Sequence, residues 1–205
     1  ANVTNRLKVD HATGDISFYN SAGTSQSLFW DASAGRLGVG TSSPNRALHV
    51  EGTASTFGDT RSVLQISDDT AMAAGVGGGL LFTGKSITGQ SDSNTTFAGI
   101  HGEKENGTST NTAGAMVFST RTSGTSPAER MRIDSSGNLL VGKTSASSAT
   151  VGFQAGQDGF IAATRVSSEP LVLNRLTSDG SIASFRKDGA TVGSVGVSNS
   201  RLHIG

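Results

Sequence analysis

The sequence predicts an all-β chain assembled from short hairpins, and three observations carry the prediction. One phrase recurs: an apolar run, Asp, small residues, Gly, then a second apolar run. It reads Leu28-Phe29-Trp30-Asp31-Ala32-Ser33-Ala34-Gly35-Arg36-Leu37-Gly38-Val39-Gly40 and returns as Met131-Arg132-Ile133-Asp134-Ser135-Ser136-Gly137-Asn138-Leu139-Leu140-Val141-Gly142. It comes again as Phe185-Arg186-Lys187-Asp188-Gly189-Ala190-Thr191-Val192-Gly193, with a shorter echo at Val9-Asp10-His11-Ala12-Thr13-Gly14-Asp15-Ile16-Ser17-Phe18. Apolar and polar residues alternate at period two, as half-buried strands require. Asn106-Gly107, Asp158-Gly159, Asp179-Gly180 and Asp188-Gly189 supply the positive φ that tight turns need.

Taken in order, residues 6–9 and 16–18 flank the first Asp/Gly turn, and 28–30 and 36–39 flank the second. Residues 47–50 follow Pro44, and 62–66 and 79–83 are β-branched or apolar runs on either side of a Gly-rich stretch. Strands 96–103 and 115–121 enclose Asn106-Gly107, and 129–133 and 138–141 enclose Asp134 to Gly137. The last candidates are 159–165, 171–175, 182–187, 190–197 and 201–204. Pro127-Ala128-Glu129-Arg130 could open a helix. The period-two spacing of Met131 and Ile133 makes it a strand instead.

Composition bounds the function. The 205 residues are only 34% apolar and 5% aromatic, with 28 glycines, one Trp30 and one Tyr19. Disordered chains are similarly polar but lack alternation and usually carry net charge; this one is formally neutral. Neutrality with scattered Lys and Arg predicts no nucleic-acid surface. No run is long and apolar enough for a membrane span, and Ala1-Asn2-Val3-Thr4 does not read as a signal peptide. There is no cysteine, hence no disulfide or thiolate metal site. The expected segments are 1–51 with the first hairpin repeats, 52–145 with the Gly-rich stretch and polar loops, and 146–205 with the last repeats. Leu202-His203-Ile204-Gly205 echoes Leu48-His49-Val50-Glu51-Gly52, and an end on a strand reads as a fragment or a processed product.

A hairpin of this size cannot bury its own apolar face, and its unpaired edges invite other strands. The expectation is therefore assembly, with apolar burial of roughly 25 cal/mol per Å² accruing between chains. Repetition in sequence would become repetition along an axis.

Several phrases are similar to a known family. They are Trp30-Asp31 through Gly38-Val39-Gly40-Thr41-Ser42-Ser43-Pro44, then Ala47-Leu48-His49-Val50 and Gly77-Gly78-Gly79-Leu80-Leu81-Phe82. The fourth is Glu129-Arg130-Met131-Arg132-Ile133-Asp134-Ser135-Ser136-Gly137-Asn138. In them, and across most of the chain from Leu28 onward, the sequence resembles the tail fibres and related receptor-binding structural proteins of bacteriophages. The resemblance implies an elongated homotrimeric β fibre, interwoven between chains, located on the virion. It implies other phage tail proteins, and a host surface glycan or outer-membrane receptor, as partners. Many such proteins continue into a self-cleaving intramolecular chaperone. Leu140 and Lys143 depart from the usual pattern, which has a glycine at the first place and runs directly into Thr at the second.

Other patterns tempt a different reading. Gly79-Leu80-Leu81-Phe82-Thr83-Gly84-Lys85-Ser86 satisfies the phosphate-loop pattern. Its middle residues read as a strand core, and Ile87-Thr88-Gly89-Gln90-Ser91-Asp92 makes a poor helix, so no nucleotide cofactor is expected. His11, His49, His101 and His203 have no second ligand at chelating spacing, so no metal is expected, although copies of His49 or His203 meeting on an axis could hold one. Of eleven aspartates, Asp31, Asp134, Asp158, Asp179 and Asp188 sit beside Gly or Ser in turns, and Asp68-Asp69 is the one adjacent acidic pair. No catalytic residue is assigned. Asn2, Asn94 and Asn106 lie in glycosylation sequons that Ser/Thr-rich chains produce by chance. Three function classes remain: a structural fibre segment without catalysis, a tailspike-like glycan depolymerase, and a bacterial adhesin stalk, the last disfavoured by the lack of heptads. Receptor contacts are expected in the polar loops 86–96 and 103–112.

Overall fold

The computed structural model describes residues 6–52, 63–88 and 95–205, which contain fifteen strands and no helix. The all-β expectation holds. The chain divides into two compact units, Ala1–Ile66 and Ser67–Gly205.

The first unit holds one five-stranded sheet of β1 (Leu7–Val9), β2 (Ile16–Tyr19), β3 (Gln26–Asp31), β4 (Arg36–Val39) and β5 (Leu48–Val50), paired in chain order. Its turns are closed by aspartates, as the repeats predict. The Asp10 carboxylate accepts from the amides of Ala12 and Thr13, and Asp31 accepts from the Ala34 amide and the Ser33 hydroxyl. Gly14 and Gly35 supply the positive φ. The β4–β5 pairing is parallel, across a connection of only residues 40–47. Parallel neighbours usually need a dozen residues or more. Here the chain doubles back tightly at Gly40, whose φ is +79° and whose added Cβ would stand 1.9 Å from the Glu51 carbonyl oxygen. Gly40→Ala is therefore expected to detach β5, seen as lost amide-exchange protection at Leu37 and Glu51, whose amides bond across the β4–β5 pair, with β2 and β3 unaffected.

The second unit holds a seven-stranded antiparallel meander: β6 (Gly79–Gly84), β7 (Thr95–Lys104), β8 (Gly114–Thr120), β9 (Ala128–Ile133), β10 (Leu139–Val141), β11 (Gly152–Ala155) and β12 (Ile161–Thr164). It also holds a three-stranded sheet, β13 (Gly180–Lys187), β14 (Ala190–Ser198) and β15 (Arg201–Ile204). The strands of these two sheets do not touch each other.

Cross-strand register sorts the side chains. In the first sheet, Leu7, Phe18, Leu28, Val39 and Val50 form one row, and Val9, Ile16, Trp30, Leu37 and Leu48 form the next on the same face. The other face carries Lys8, Ser17, Phe29, Gly38 and His49. In the meander, Leu80, Ile100, Phe118, Met131, Val141, Phe153 and Ala163 cross the sheet as one row. Met116, Ile133, Leu139, Ala155 and Ile161 make a second row on that face. Its reverse carries His101, Val117, Arg132, Leu140 and Gln154. In the third sheet, Val195 and Val197 align with Ile204 and Leu202, against Ser194, Gly196, Ser198 and His203 on the other side.

The burial runs opposite to a monomer's. Among the described residues the buried side chains are Ala115, Val117 and Leu140, with Pro44, Ser17, Lys143 and Gln154, and every one that lies on a strand is on the mixed or polar face. The predominantly apolar faces bury nothing fully and leave large side chains exposed: Leu7, Val9, Phe18 and Leu48 in the first sheet, Leu80, Met116, Ile133 and Ile161 in the second, and Leu202 and Ile204 in the third. Full burial of one such side chain is worth roughly 1.5–3 kcal/mol, and the chain by itself leaves that unrealised.

Four local expectations need correction. Residues 63–66 and 171–175 form no strand, having no ladder partner among the described residues, and Ser62 lies outside them. Conversely β11 is a strand the alternation does not announce. Asn106-Gly107 turns without positive φ, which falls on Thr110 instead (64°).

Candidate functional site

Two β-bulges lie at one end of the meander. Phe82 pairs with Ala98 and Thr83 with Thr96, so Phe97 is the extra residue of β7. Phe118 pairs with Met131 and Ser119 with Glu129, making Arg130 the extra residue of β9. Bulges re-aim side chains. The first one projects Phe97 to 44% exposure. Its ring edge lies against Gly84, where an added Cβ would come within 2.8 Å.

Around Phe97 lies a cleft of about 440 Å³ lined also by Ser86, Thr95, Arg121, Ser123 and Gly124. The Arg121 amide donates to the Phe97 carbonyl at 2.9 Å and its guanidinium to the Thr96 carbonyl at 3.3 Å. Ser86 and Thr95 share a hydroxyl hydrogen bond of 2.7 Å. Among the described residues no carboxylate lines the cleft. Arg130 stands on the neighbouring strand, donating to the hydroxyls of Thr120 and Thr122. The bulge and the pairing of loop ends build this site, and no sequence spacing announces it. The expected 86–96 loop contributes Ser86 and Thr95; residues 89–94 lie outside the described residues.

The second polar loop, 103–112, is tied to its own chain. Glu105 accepts from the amide and hydroxyl of Ser135, and Lys104 donates to the Asn111 carbonyl. On the mixed face of the meander, Arg132 donates to both oxygens of Glu129 and, at 3.0 Å, to Glu103, which also meets His101 at 3.2 Å. The Arg130 bulge brings Glu129 and Arg132 onto one face despite their odd spacing. The Glu129 hydrogen bonds raise the guanidinium further above its high ordinary value, against the effect of burial and with help from Glu103. Both carboxylates thus share one arginine through charge-assisted hydrogen bonds.

The remaining candidates resolve locally. Gly79 to Gly84 is strand β6, its amides in the ladder rather than around a phosphate, and residues 89–92 lie outside the described residues. His49, His101 and His203 each sit opposite a glycine: Gly38, Gly79 and Gly196. The Nδ1 of His49 is buried without a partner among the described residues. No group of three metal-ligating side chains occurs among the described residues. His49 is on a parallel pair and His203 on an antiparallel one, so the two echoed units are used differently. Asp10, Asp31 and Asp68 titrate below the usual carboxylate range, held by the Lys8 ammonium, the Ser33 hydroxyl and the Thr70 hydroxyl respectively, with backbone amides adding. Asp134 accepts from Ser136 and Asn138, and Asp158 from Phe160. Asn2 and Asn94 lie outside the described residues. A second, more polar hollow of about 590 Å³ is lined in part by Tyr19, Gln26, Thr41 and Glu51.

Compared with models of protein families and with curated proteins, the chain matches none.

Proposed function

We propose that this chain is a structural segment of a homotrimeric bacteriophage tail fibre, supporting or mediating attachment to the host surface without a catalytic step of its own. The observation that carries the reading is the inverted burial. Three sheets each present an apolar face to solvent, while the little that the chain buries lies on the reverse. Among the described residues six sheet edges (β1, β5, β6, β12, β13 and β15) also have no strand beside them on one side. Val63, Leu64 and Ile66, and Leu171, Val172 and Leu173, stand exposed without a ladder partner among the described residues, as strands of an interwoven assembly would before their neighbours are added. The family and the number three come from the sequence resemblance; the faces supply the need for copies. Function on this reading is reach and multivalent display, in which weak sites on one rod gain from effective concentration.

Native mass measurement tests it. Three times the 20.8 kDa chain mass is expected, persisting on dilution. A stable, folded single chain overturns the assembly.

A further inference from the structure

We propose that the bulged end of the meander is a binding site for an acidic saccharide, with the sugar ring stacked on Phe97 and its carboxylate held by Arg121. The inference takes its biological setting from the host-attachment reading, but the site itself stands on the cleft.

The stacking surface is built, not incidental. The extra residue in β7 turns Phe97 out of the alternation, and Gly84 leaves room for the ring edge, so one ring face is available to the apolar C–H face of a pyranose. The cation is fixed. Arg121 is anchored at its own amide and at one nitrogen of its guanidinium, both to β7 backbone carbonyls flanking the ring. Among the described residues no carboxylate pairs with it, which leaves donors of the planar fork free for a bidentate carboxylate. Hydroxyls complete the lining. Ser86, Thr95 and Ser123 can each donate and accept, which suits the vicinal hydroxyls of a sugar. The cleft falls in the roughly 300–1,000 Å³ range of small-ligand sites. Arg130, bonded to the hydroxyls of Thr120 and Thr122 on either side of Arg121 in sequence, adds a second positive charge, likewise without a carboxylate among the described residues. Neutral sugars would leave Arg121 unpaired, and a simple anion would leave Phe97 unused. An acidic sugar uses both.

The test is titration of the full chain with a glucuronic acid disaccharide, followed by amide NMR and calorimetry. Glucose, acetate and sulfate serve as separate controls. Shifts confined to residues at Ser86, Thr95, Phe97, Arg121 and Ser123 are expected. Arg121→Gln, at an exposed position, should weaken binding at least tenfold with its spectrum otherwise unchanged. Phe97→Ala should do the same, and Arg121→Lys should recover only part. No binding, shifts elsewhere, equal binding of glucose, or equal competition by acetate and sulfate would each overturn the site. The oligomer mass separates the two readings: a trimer that ignores the disaccharide removes this site and leaves the fibre proposal standing. A single chain that binds it does the reverse.

Discussion

Ile133→Asp is expected to prevent assembly, although Ile133 is 44% exposed in the chain. A substitution at a truly solvated strand position shifts stability by about 0.5 kcal/mol at most. Ile133 lies between Met116 and Leu139 in an apolar row that continues through Ala155 to Ile161. If sibling chains cover that face, the aspartate is buried without a partner. Such a charge costs several kcal/mol, and the symmetry of a trimer repeats it three times. The variant should run as a single chain or precipitate, and its cooperative melting transition should disappear. Thr191→Asp, on an exposed position of β14, is the matched control and should keep both mass and melting temperature. An Ile133→Asp protein that matches this control would mean that the face is ordinary solvent-facing surface.

The fold was largely legible because its turns are chemical statements. Asp31, Asp134 and Asp188, each followed by a glycine at positive φ, mark hairpins whose strands then follow from alternation. What could not be read is what needs a neighbour. β11 carries Phe153 and Gln154 between Gly152 and Ala155, a weak strand signal, and its conformation is fixed by ladders to β10 and β12 on either side. Residues 171–175 present the opposite case. Leu171, Val172 and Leu173 form a continuous apolar run, yet no strand of the described residues pairs with them. Propensity describes a fit to a pleated surface, and the surface must exist. The candidate cleft was hidden for a related reason. A bulge is a mismatch between two strands, so the placement of Phe97 depends on β6 as much as on β7. Nothing in the spacing of Phe97 and Arg121 shows that they meet.

Leu140→Ala is the largest expected loss within a single chain, about 3 kcal/mol from a range of roughly 2–5 for buried leucines. Leu140 is 0% exposed, between Arg132 on β9 and Gln154 on β11. In the first repeat the corresponding place is Gly38, where an added Cβ would meet the Thr41 carbonyl oxygen at 2.3 Å, so the chain itself fills the space. The second repeat fills it with a side chain and then carries the backbone away at Lys143. That lysine is buried, and its ammonium donates to the carbonyls of Ser147 and Thr150 and, at 2.8 Å, to the Gln154 side chain. The two departures from the repeat are therefore one device: Leu140 occupies the sheet surface and Lys143 pins residues 147–150 and Gln154. Lys143→Met should cost about 2 kcal/mol, since charged hydrogen bonds contribute roughly 1.5–3 each but desolvation of the ammonium is recovered. Because both act through Gln154, the double variant should lose less than the two single losses added together. Thermal unfolding of the four proteins measures this. Strict additivity would separate leucine from lysine, and a loss below about 1 kcal/mol for Leu140→Ala would mean that the meander has no interior of its own.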